Sequence, residues 1–413
     1  MTPQEKTTQD HLVKTGYWRQ CYDFARKIPG ADIPALQSRA TDVGSGWCCM
    51  EFARDVPGAD IAALQSHVLK IGDAKECLMF AKEVPGADVA ALQSRVMNVG
   101  GGSDYTAFAR DVPGADVAAL QAGVLKIARD YHYYYDCVVF AKNVKGADIP
   151  VLQDAVLEGG TGYDCYLFAK IPGADREALQ KRVLEIGSGA ECTEFARDIP
   201  GADIPALQSR VAHIGEGHDC YLFARHVPGA DTKVLEARVL EVGDADHCHR
   251  FARDIKGADV KALQQHLLDA LKDNKAKSAR YCCQFVQDVP GADIAPLQAC
   301  VLEFGTAKHC TQFAREVPSA DIKALQTKVL KEGDEVACYE FARFVPGARI
   351  KALQARMLEV GTEWGLLAFA RDIPGANKKA LIARSAVLRN ERDGSSCPSM
   401  AGSLISFALQ VES

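Results

Sequence analysis

Apolar positions along this chain follow the period of an α-helix in short segments that alternate with turns. Residues 73–100 contain two such segments, each with an apolar stripe on one face. The first stripe consists of Cys77, Phe80, Ala81 and Val84. The second consists of Val89, Leu92, Val96 and Val99. The pattern therefore predicts two amphipathic helices, a first helix and a second helix.

Turn and cap residues separate these predicted helices. Pro85 cannot continue the first helix, and Gly86 permits the turn that follows. Asp88 stands where an N-cap is needed, and Gly100 ends the second helix. Capping boxes are predicted at two first helices, formed by Asp73 with Glu76 and by Ser188 with Glu191. These recurring Asp, Pro and Gly residues thus have a structural explanation that needs no metal and no catalysis.

The glycine of the turn recurs at intervals that are nearly all 28 residues. It stands at Gly30, Gly58, Gly86, Gly114, Gly146, Gly173, Gly201, Gly229, Gly257, Gly291, Gly347 and Gly375, with Ser319 in its place once. Such periodicity is typical of repeat arrays. We expect an all-α, αα-superhelical solenoid of thirteen two-helix repeats. Periodicity leaves its curvature open, from an open superhelix to one bent toward a ring.

The repeat pattern also divides the chain. Residues 1–16 are predicted to form an N-terminal capping helix and residues 17–388 the solenoid. Insertions at 129–135 and 272–280 separate the solenoid into blocks 17–128, 129–271 and 272–388. Each insertion is either a neutral loop expansion or an edge that carries binding. Residues 389–413 are interpreted as a linker followed by a tail or a capping helix.

Cysteine usage and charge indicate the compartment. The chain has 15 cysteines, and eleven occupy one position three residues before the repeat's Phe. Equivalent sites that face the same way cannot pair within the chain, so we interpret these thiols as buried small hydrophobes in a reducing compartment. The polar amino terminus and short apolar runs favour a cytoplasmic protein without membrane segments. The net charge of −6 gives no global attraction to nucleic acid.

A glutamine recurs within the second helix in eleven copies, from Gln37 to Gln354, with Glu236 and Ile382 as the exceptions. A glutamine at this place is expected to face the neighbouring copy. Its amide can satisfy backbone groups there, because buried polar atoms need partners. We therefore predict a structural ladder of glutamines between copies.

The position two residues before the recurring Cys varies most between copies. We call its large or polar members the variable row: Arg19, Trp47, Lys75, Tyr135, Tyr163, His218, Asp246, Arg280, Lys308 and Trp364. Helical spacing places them opposite the buried stripe, on one exposed ridge. Because aromatic side chains dominate interface energetics, this row favours a non-enzymatic scaffold or adaptor that binds a protein partner.

A second outward position carries a cation in twelve copies. This cation ladder consists of Arg26, Arg54, Lys82, Arg110, Lys142, Lys170, Arg197, Arg225, Arg253, Arg315, Arg343 and Arg371. Regular cations beside a variable residue suggest an alternative, modular binding of RNA or single-stranded DNA. Most of these cations are followed by an acid and lie in the last helical turn, which favours a solvated ion-pair ladder instead. An inert spacer is a third hypothesis.

Neighbouring His and Cys residues raise the question of a metal site. His247, Cys248 and His249 are consecutive, as are His309 and Cys310. One Cys in each group is the inward core residue, so the adjacent side chains point elsewhere and cannot close a tetrahedral site. We predict no metal, no cofactor and no catalytic residue, because no unique constellation stands out from the repeat. The oligomeric state is left open.

The repeat resembles known helical arrays. Paired helices with FARDVPGAD, ALQ and a closing Gly are similar to the class of αα-solenoids that includes HEAT, armadillo and tetratricopeptide repeats. They also resemble F-A-(R/K)-x-V-x-G-A-D repeats of uncharacterised bacterial and phage proteins. The resemblance covers residues 16 to about 388 and implies a binding role by analogy only.

Overall fold

A computed structural model describes residues 1–272 and 275–393, and within these ranges the chain is helical throughout, with no strand. The helices are α1 (Pro3–Thr15), α2 (Trp18–Lys27), α3 (Ile33–Val43), α4 (Gly46–Asp55), α5 (Ile61–Ile71), α6 (Ala74–Glu83), α7 (Val89–Val99), α8 (Gly102–Asp111), α9 (Val117–Tyr131), α10 (Tyr135–Asn143), α11 (Ile149–Gly159), α12 (Gly162–Ala169), α13 (Arg176–Ile186), α14 (Gly189–Asp198), α15 (Ile204–Ile214), α16 (Gly217–His226), α17 (Thr232–Val242), α18 (Ala245–Asp254), α19 (Val260–Leu271), α20 (Lys275–Asp288), α21 (Ile294–Phe304), α22 (Ala307–Glu316), α23 (Ile322–Glu332), α24 (Glu335–Phe344), α25 (Ile350–Val360), α26 (Glu363–Asp372) and α27 (Lys378–Asp393).

The chain divides into two units, Met1–Leu207 and a second that begins at Gln208. In the first unit the first helices from α2 to α12 each pack on their own second helix and on the first helix of the next copy, as α4 does on α5 and α6. The second unit is built in the same way, for example with α16 against α17 and α18. Within each unit this is the predicted all-α solenoid of paired helices.

The core of each copy comes from the inward stripe of the first helix and the middle of the second. From the second copy onward the stripe's Phe is fully buried in all twelve copies, as at Phe80, and the recurring Cys beside it is equally enclosed, as at Cys77. Leu92 and Val96 close the same layer from α7. Val99, predicted to belong to this stripe, is 43% exposed because it is the last residue of its helix.

Turns and N-caps form as predicted. Asp88 accepts a hydrogen bond from the Ala91 amide at 3.1 Å, and Asp73 with Glu76 forms a capping box. Gly86 adopts φ +82°, a left-handed conformation that residues with a Cβ rarely enter. Ser319, which lacks this freedom, does not take a positive φ, so its turn has a different backbone path.

The glycine that closes each second helix is required for a different reason than predicted. Gly72 has φ −67°, which is extended backbone and not a left-handed cap. A Cβ at Gly72 would lie 2.6 Å from the Val68 carbonyl oxygen. Close approach of the chain to its own helix end, and not a positive φ, therefore demands glycine here.

The predicted glutamine ladder is present as a two-bond clamp. Gln93 donates to the carbonyl of Asp116 at 3.2 Å and accepts from its amide at 2.8 Å. The same pair of bonds joins Gln208 to Asp231 within the second unit. Each glutamine thus satisfies the exposed backbone of the next copy's N-cap. At Glu236, one exception to the glutamines, the carboxylate still accepts from the Asp259 amide and is neutralised by Lys233 at 2.9 Å.

Helix α1 takes the place of a second helix at the amino-terminal side of the first copy. Its Gln9 accepts a hydrogen bond from the Asp32 amide at 2.8 Å, which is the same contact that Gln37 makes with Asp60. Arg39 donates to the Gly16 carbonyl at 2.9 Å. Helix α1 is therefore held to the first copy by contacts of the kind that join full copies.

Helices extend into both insertions. The first insertion extends α9 through Tyr131, and His132 ends it in a left-handed conformation with φ 54°. Near the second, α19 ends at Leu271 and α20 begins at Lys275. At the carboxyl end α27 continues through Asp393, so the start of the predicted linker is helical. The remainder of that prediction, residues 394–413, lies outside the described residues.

Removing one clamp tests this account of the stack. In Gln93→Ala the amide and carbonyl of Asp116 lose their partners, which costs about 1–3 kcal/mol for partly buried groups. We expect the amides around Asp116 to exchange faster by roughly tenfold or more in hydrogen-exchange mass spectrometry. Gln265→Ala is the control, since this exposed glutamine bonds only to Asp269. Equal exchange in the two variants would refute the clamp.

Candidate functional site: the outer face of the first helices

The variable row lies on the outside of the first helices. Nine of its ten residues are exposed, and Asp246 is half-buried. The aromatic members expose much of their surface: Trp364 by 73%, Tyr163 by 47%, Tyr135 by 40% and Trp47 by 39%. Large apolar side chains exposed on a regular face mark interaction surfaces more often than scattered ones do.

Charged members of the row contact their neighbours. Arg19 pairs with Glu51 of the next copy at 2.9 Å, and the Lys75 ammonium lies 5.9 Å from the centre of the Trp47 ring. Asp246 pairs with Arg250 at 2.7 Å, one turn further along the same helix. In the second unit the rings of His218 and His247 lie 6.0 Å apart. Tyr135 borders Tyr133 of the first insertion at 6.1 Å.

The cation ladder is also on this face, and all twelve members are exposed. Six pair with the acid that follows them, as Arg110 does with Asp111 at 2.7 Å. Five reach the acid of the next copy, as Lys82 does to Asp111 at 3.7 Å. Arg54 does both. The predicted ion-pair ladder is present, and it also links consecutive copies.

Sequence reasoning missed a tyrosine that takes part in these links. A tyrosine directly after the recurring Cys donates its hydroxyl to an acid of the next copy, through the pairs Tyr22 with Asp55, Tyr166 with Asp198, Tyr221 with Asp254 and Tyr339 with Asp372, at 2.5–2.7 Å. In each case the ladder cation four residues on lies over the tyrosine ring. The signal was available, since each such Tyr is followed 32 or 33 residues later by its acid.

Charge partners set the ionisation of these acids. Hydrogen bonds from Arg54 and from Tyr22 lower the pKa of Asp55 to about 2. The pKa of Asp254 is lowered further, chiefly by Arg253. These carboxylates are therefore ionised at neutral pH and hold the nearby cations.

One copy has histidine where others have this tyrosine. His249 is buried, and its Nε2 lies 3.0 Å from Asp288 in a geometry poorly aligned for a hydrogen bond. Burial lowers the pKa of His249, and the Asp288 carboxylate opposes that shift only in part. The imidazole is therefore held in its neutral form.

The neighbouring His and Cys residues do not converge. His247 turns to Asp244 at 2.9 Å, whereas His249 faces Asp288 and Cys248 is buried in the core. Within residues 1–272 and 275–393, no group of three or more His, Cys, Asp or Glu side chains could hold a metal ion. Burial raises the pKa of most of the recurring thiols, to about 12 at Cys137, which disfavours the reactive thiolate.

The insertions contribute unequally to this face. Tyr131 and Tyr133 of the first are exposed, whereas Tyr134 is buried against Gly159. Near the second, Lys272 pairs with Asp269 at 2.6 Å and Arg280 is exposed. Along the described helices there is none long and apolar enough to cross a bilayer.

Fold and surface together define a helical-repeat solenoid with an aromatic and charged outer face. No protein-family model, curated protein or solved structure matches the chain. The similarity to αα-solenoids therefore stands at the level of architecture.

The neutral state of His249 can be tested through the pH dependence of stability, with a tyrosine substituted as in the equivalent position of other copies. A histidine whose folded pKa is lowered binds its proton mainly in the unfolded state, so stability is lost as pH falls through the usual value of 6.5. In His249→Tyr a hydroxyl can donate to Asp288, as Tyr221 does to Asp254, and it does not titrate in this range.

We expect His249→Tyr to gain stability over the wild type as pH falls from about 7.5 to about 5. Urea denaturation midpoints at both pH values measure this gain. Contributions of other histidines such as His309 are common to both proteins and cancel. Parallel pH dependences of the two proteins would contradict the assignment.

Proposed function

We propose that this protein is a non-enzymatic scaffold or adaptor that binds a protein partner along the variable row. The observation that carries the proposal is the contrast between positions of one helix. Cys77 and Phe80 are enclosed in the core, whereas the row's residues face solvent and differ from copy to copy. A surface that is regular in spacing and irregular in chemistry suits recognition of an extended partner.

The aromatic members are the proposed anchors. Trp47 and Trp364 expose large amphipathic rings that contribute strongly when a partner covers them. Tyr135 and Tyr163 occupy the same position in two consecutive copies of the first unit. Arg19, Lys75, His218, Asp246, Arg280 and Lys308 supply the polar contacts that set specificity.

The polar groups that recur in most copies support a binding role over catalysis. The recurring Asp caps its helix and the recurring Gln clamps the next copy, so both are engaged in the scaffold. The cysteines of the described chain are buried and free, which supports a reducing, cytoplasmic location as part of the same proposal.

Nucleic-acid binding through the cation ladder is the second candidate. Its support is the regular spacing of twelve exposed cations. Carboxylates within 4.0 Å of most of them weigh against it, because a phosphate would have to displace an existing ion pair. The protein partner is therefore the preferred proposal.

Substitution of the two tryptophans tests the protein-binding proposal. Trp47→Ala with Trp364→Ala removes two exposed rings from the outer face, so helicity is expected to remain. Capture of specific partners from a lysate, quantified by mass spectrometry, should fall by about tenfold or more.

The control is Val151→Ala with Val234→Ala, which removes comparably exposed apolar side chains from second helices. Proteins captured by the wild type and the control but not by the tryptophan variant are the expected partners. Unchanged capture by the tryptophan variant would count against this face.

The nucleic-acid candidate makes a separate prediction. Binding of a single-stranded RNA oligonucleotide through several ladder cations should weaken steeply with salt, with one counterion released for each phosphate contacted. Fluorescence anisotropy at about 50 mM and about 200 mM salt measures this dependence. No binding at the lower concentration would eliminate this candidate.

A further inference from the structure

One cation of the ladder in the first unit has no acidic partner among the described residues. Five other ladder cations reach a carboxylate of the next copy, as Lys82 does with Asp111 and Lys170 with Asp198. Lys142 has no carboxylate within 4.0 Å among the described residues, and it is the one ladder cation left without a direct or tyrosine-bridged acid.

Three features of the local sequence leave Lys142 without an acidic partner. Position 143, where most copies place an acid after the cation, holds Asn143. Helix α12 ends early, so that Lys170 is followed directly by Ile171 and the acid that would face Lys142 is absent. Val138 stands at the position that holds a bridging tyrosine in four copies, such as Tyr166, so no hydroxyl is present there.

An apolar groove lies beside Lys142. A pocket of about 450 Å³ lies between α10 and α12, and its walls include Val139, Leu167 and Ile171. Tyr135 of the variable row lines it, and so do Lys142 and Lys170. Lys170 already holds Asp198 at 2.9 Å, so Lys142 is the charge available to a ligand.

We propose that this groove binds an acidic segment of a partner protein, in which an aliphatic or aromatic side chain enters the groove and a neighbouring Asp or Glu pairs with Lys142. The inference rests on the proposed function and names the partner chemistry at one point of the surface. The partner's carboxylate takes the place that the next copy's acid has beside five other ladder cations.

Charge complementarity favours this occupant. The groove combines apolar walls with an exposed, unpaired ammonium, and Lys145 adds positive charge at a turn where all other copies except that of Lys256 have proline. A nucleic-acid backbone would use the ammonium but leave the apolar walls exposed to water. An acidic peptide with an apolar side chain uses both.

The experiment uses a random twelve-residue peptide library displayed on phage and selected on the full chain, followed by fluorescence anisotropy with the enriched peptides as synthetic probes. We expect the enriched peptides to contain Asp or Glu adjacent to Leu, Ile, Phe or another large apolar residue. Lys142→Ala should weaken their binding by about five- to tenfold.

Lys82→Ala is the matched control, since it removes the same side chain from the same ladder position where an acid is already present. It should change affinity by less than about twofold. Asn143→Asp adds a carboxylate beside the groove, which repels an acidic peptide, so it should weaken peptide binding like Lys142→Ala.

Three outcomes would overturn the inference: no enriched peptide on the wild type, enriched peptides without acids, or affinities that Lys142→Ala and Asn143→Asp leave unchanged. A loss confined to an RNA oligonucleotide in Lys142→Ala would also overturn it, in favour of a phosphate ligand. In each case the tryptophan experiment is unaffected, because Lys142 is intact there, so a failure of this inference is distinguishable from a failure of the scaffold proposal.

Discussion

The structure depends on the amide clamp between one copy's glutamine and the backbone of the next copy's N-cap. A short helix leaves its first amides without partners, and the turn before it leaves further backbone groups open. The Asp116 side chain accepts a hydrogen bond from one of these helix amides, that of Ala119, at 3.0 Å. Gln93 bonds to the backbone amide and carbonyl of Asp116 in the turn. Since both bonds recur at a fixed separation, they set the register of neighbouring copies as well as their stability.

Because packing and hydrogen bonding fix most positions of a copy, only the remaining positions are free to carry function. Core positions such as Phe80 and Leu92 are fixed by packing, and the Asp, Gln and Gly positions are fixed by hydrogen bonding and close approach. What remains free is the outer face of the first helix, where Trp47 and Lys75 occupy equivalent places. A change there alters the surface without disturbing the stack.

Much of the fold could be predicted because its determinants are local. The apolar stripe through Cys77 and Phe80, the Pro85 stop and the Asp88 cap all lie within one copy, so spacing alone reveals them. The exposure of Val99 could not be predicted from its stripe, because it depends on where the helix ends against its neighbour. The bond from Tyr22 to Asp55 joins two copies across 33 residues, so the pattern within a single copy does not reveal it. The row of variable residues on the outer face could be predicted from spacing. The groove at Lys142 could not, because it depends on an acid that is absent where α12 ends early.

In a repeat array the absence of an acid beside Lys142 is informative, because the other ladder cations show how this position is paired. The ladder's cations and acids neutralise one another over a few ångströms, so the field of twelve cations is local and the chain as a whole carries a net charge of −6. The Lys142 ammonium, in contrast, is not neutralised by a nearby carboxylate of the described chain. At Lys142 the absence of an acid and an apolar groove coincide in one inter-helix gap. A ligand that brings a carboxylate and an apolar side chain satisfies both features of this gap, whereas at the paired positions its carboxylate would compete with an acid of the chain itself.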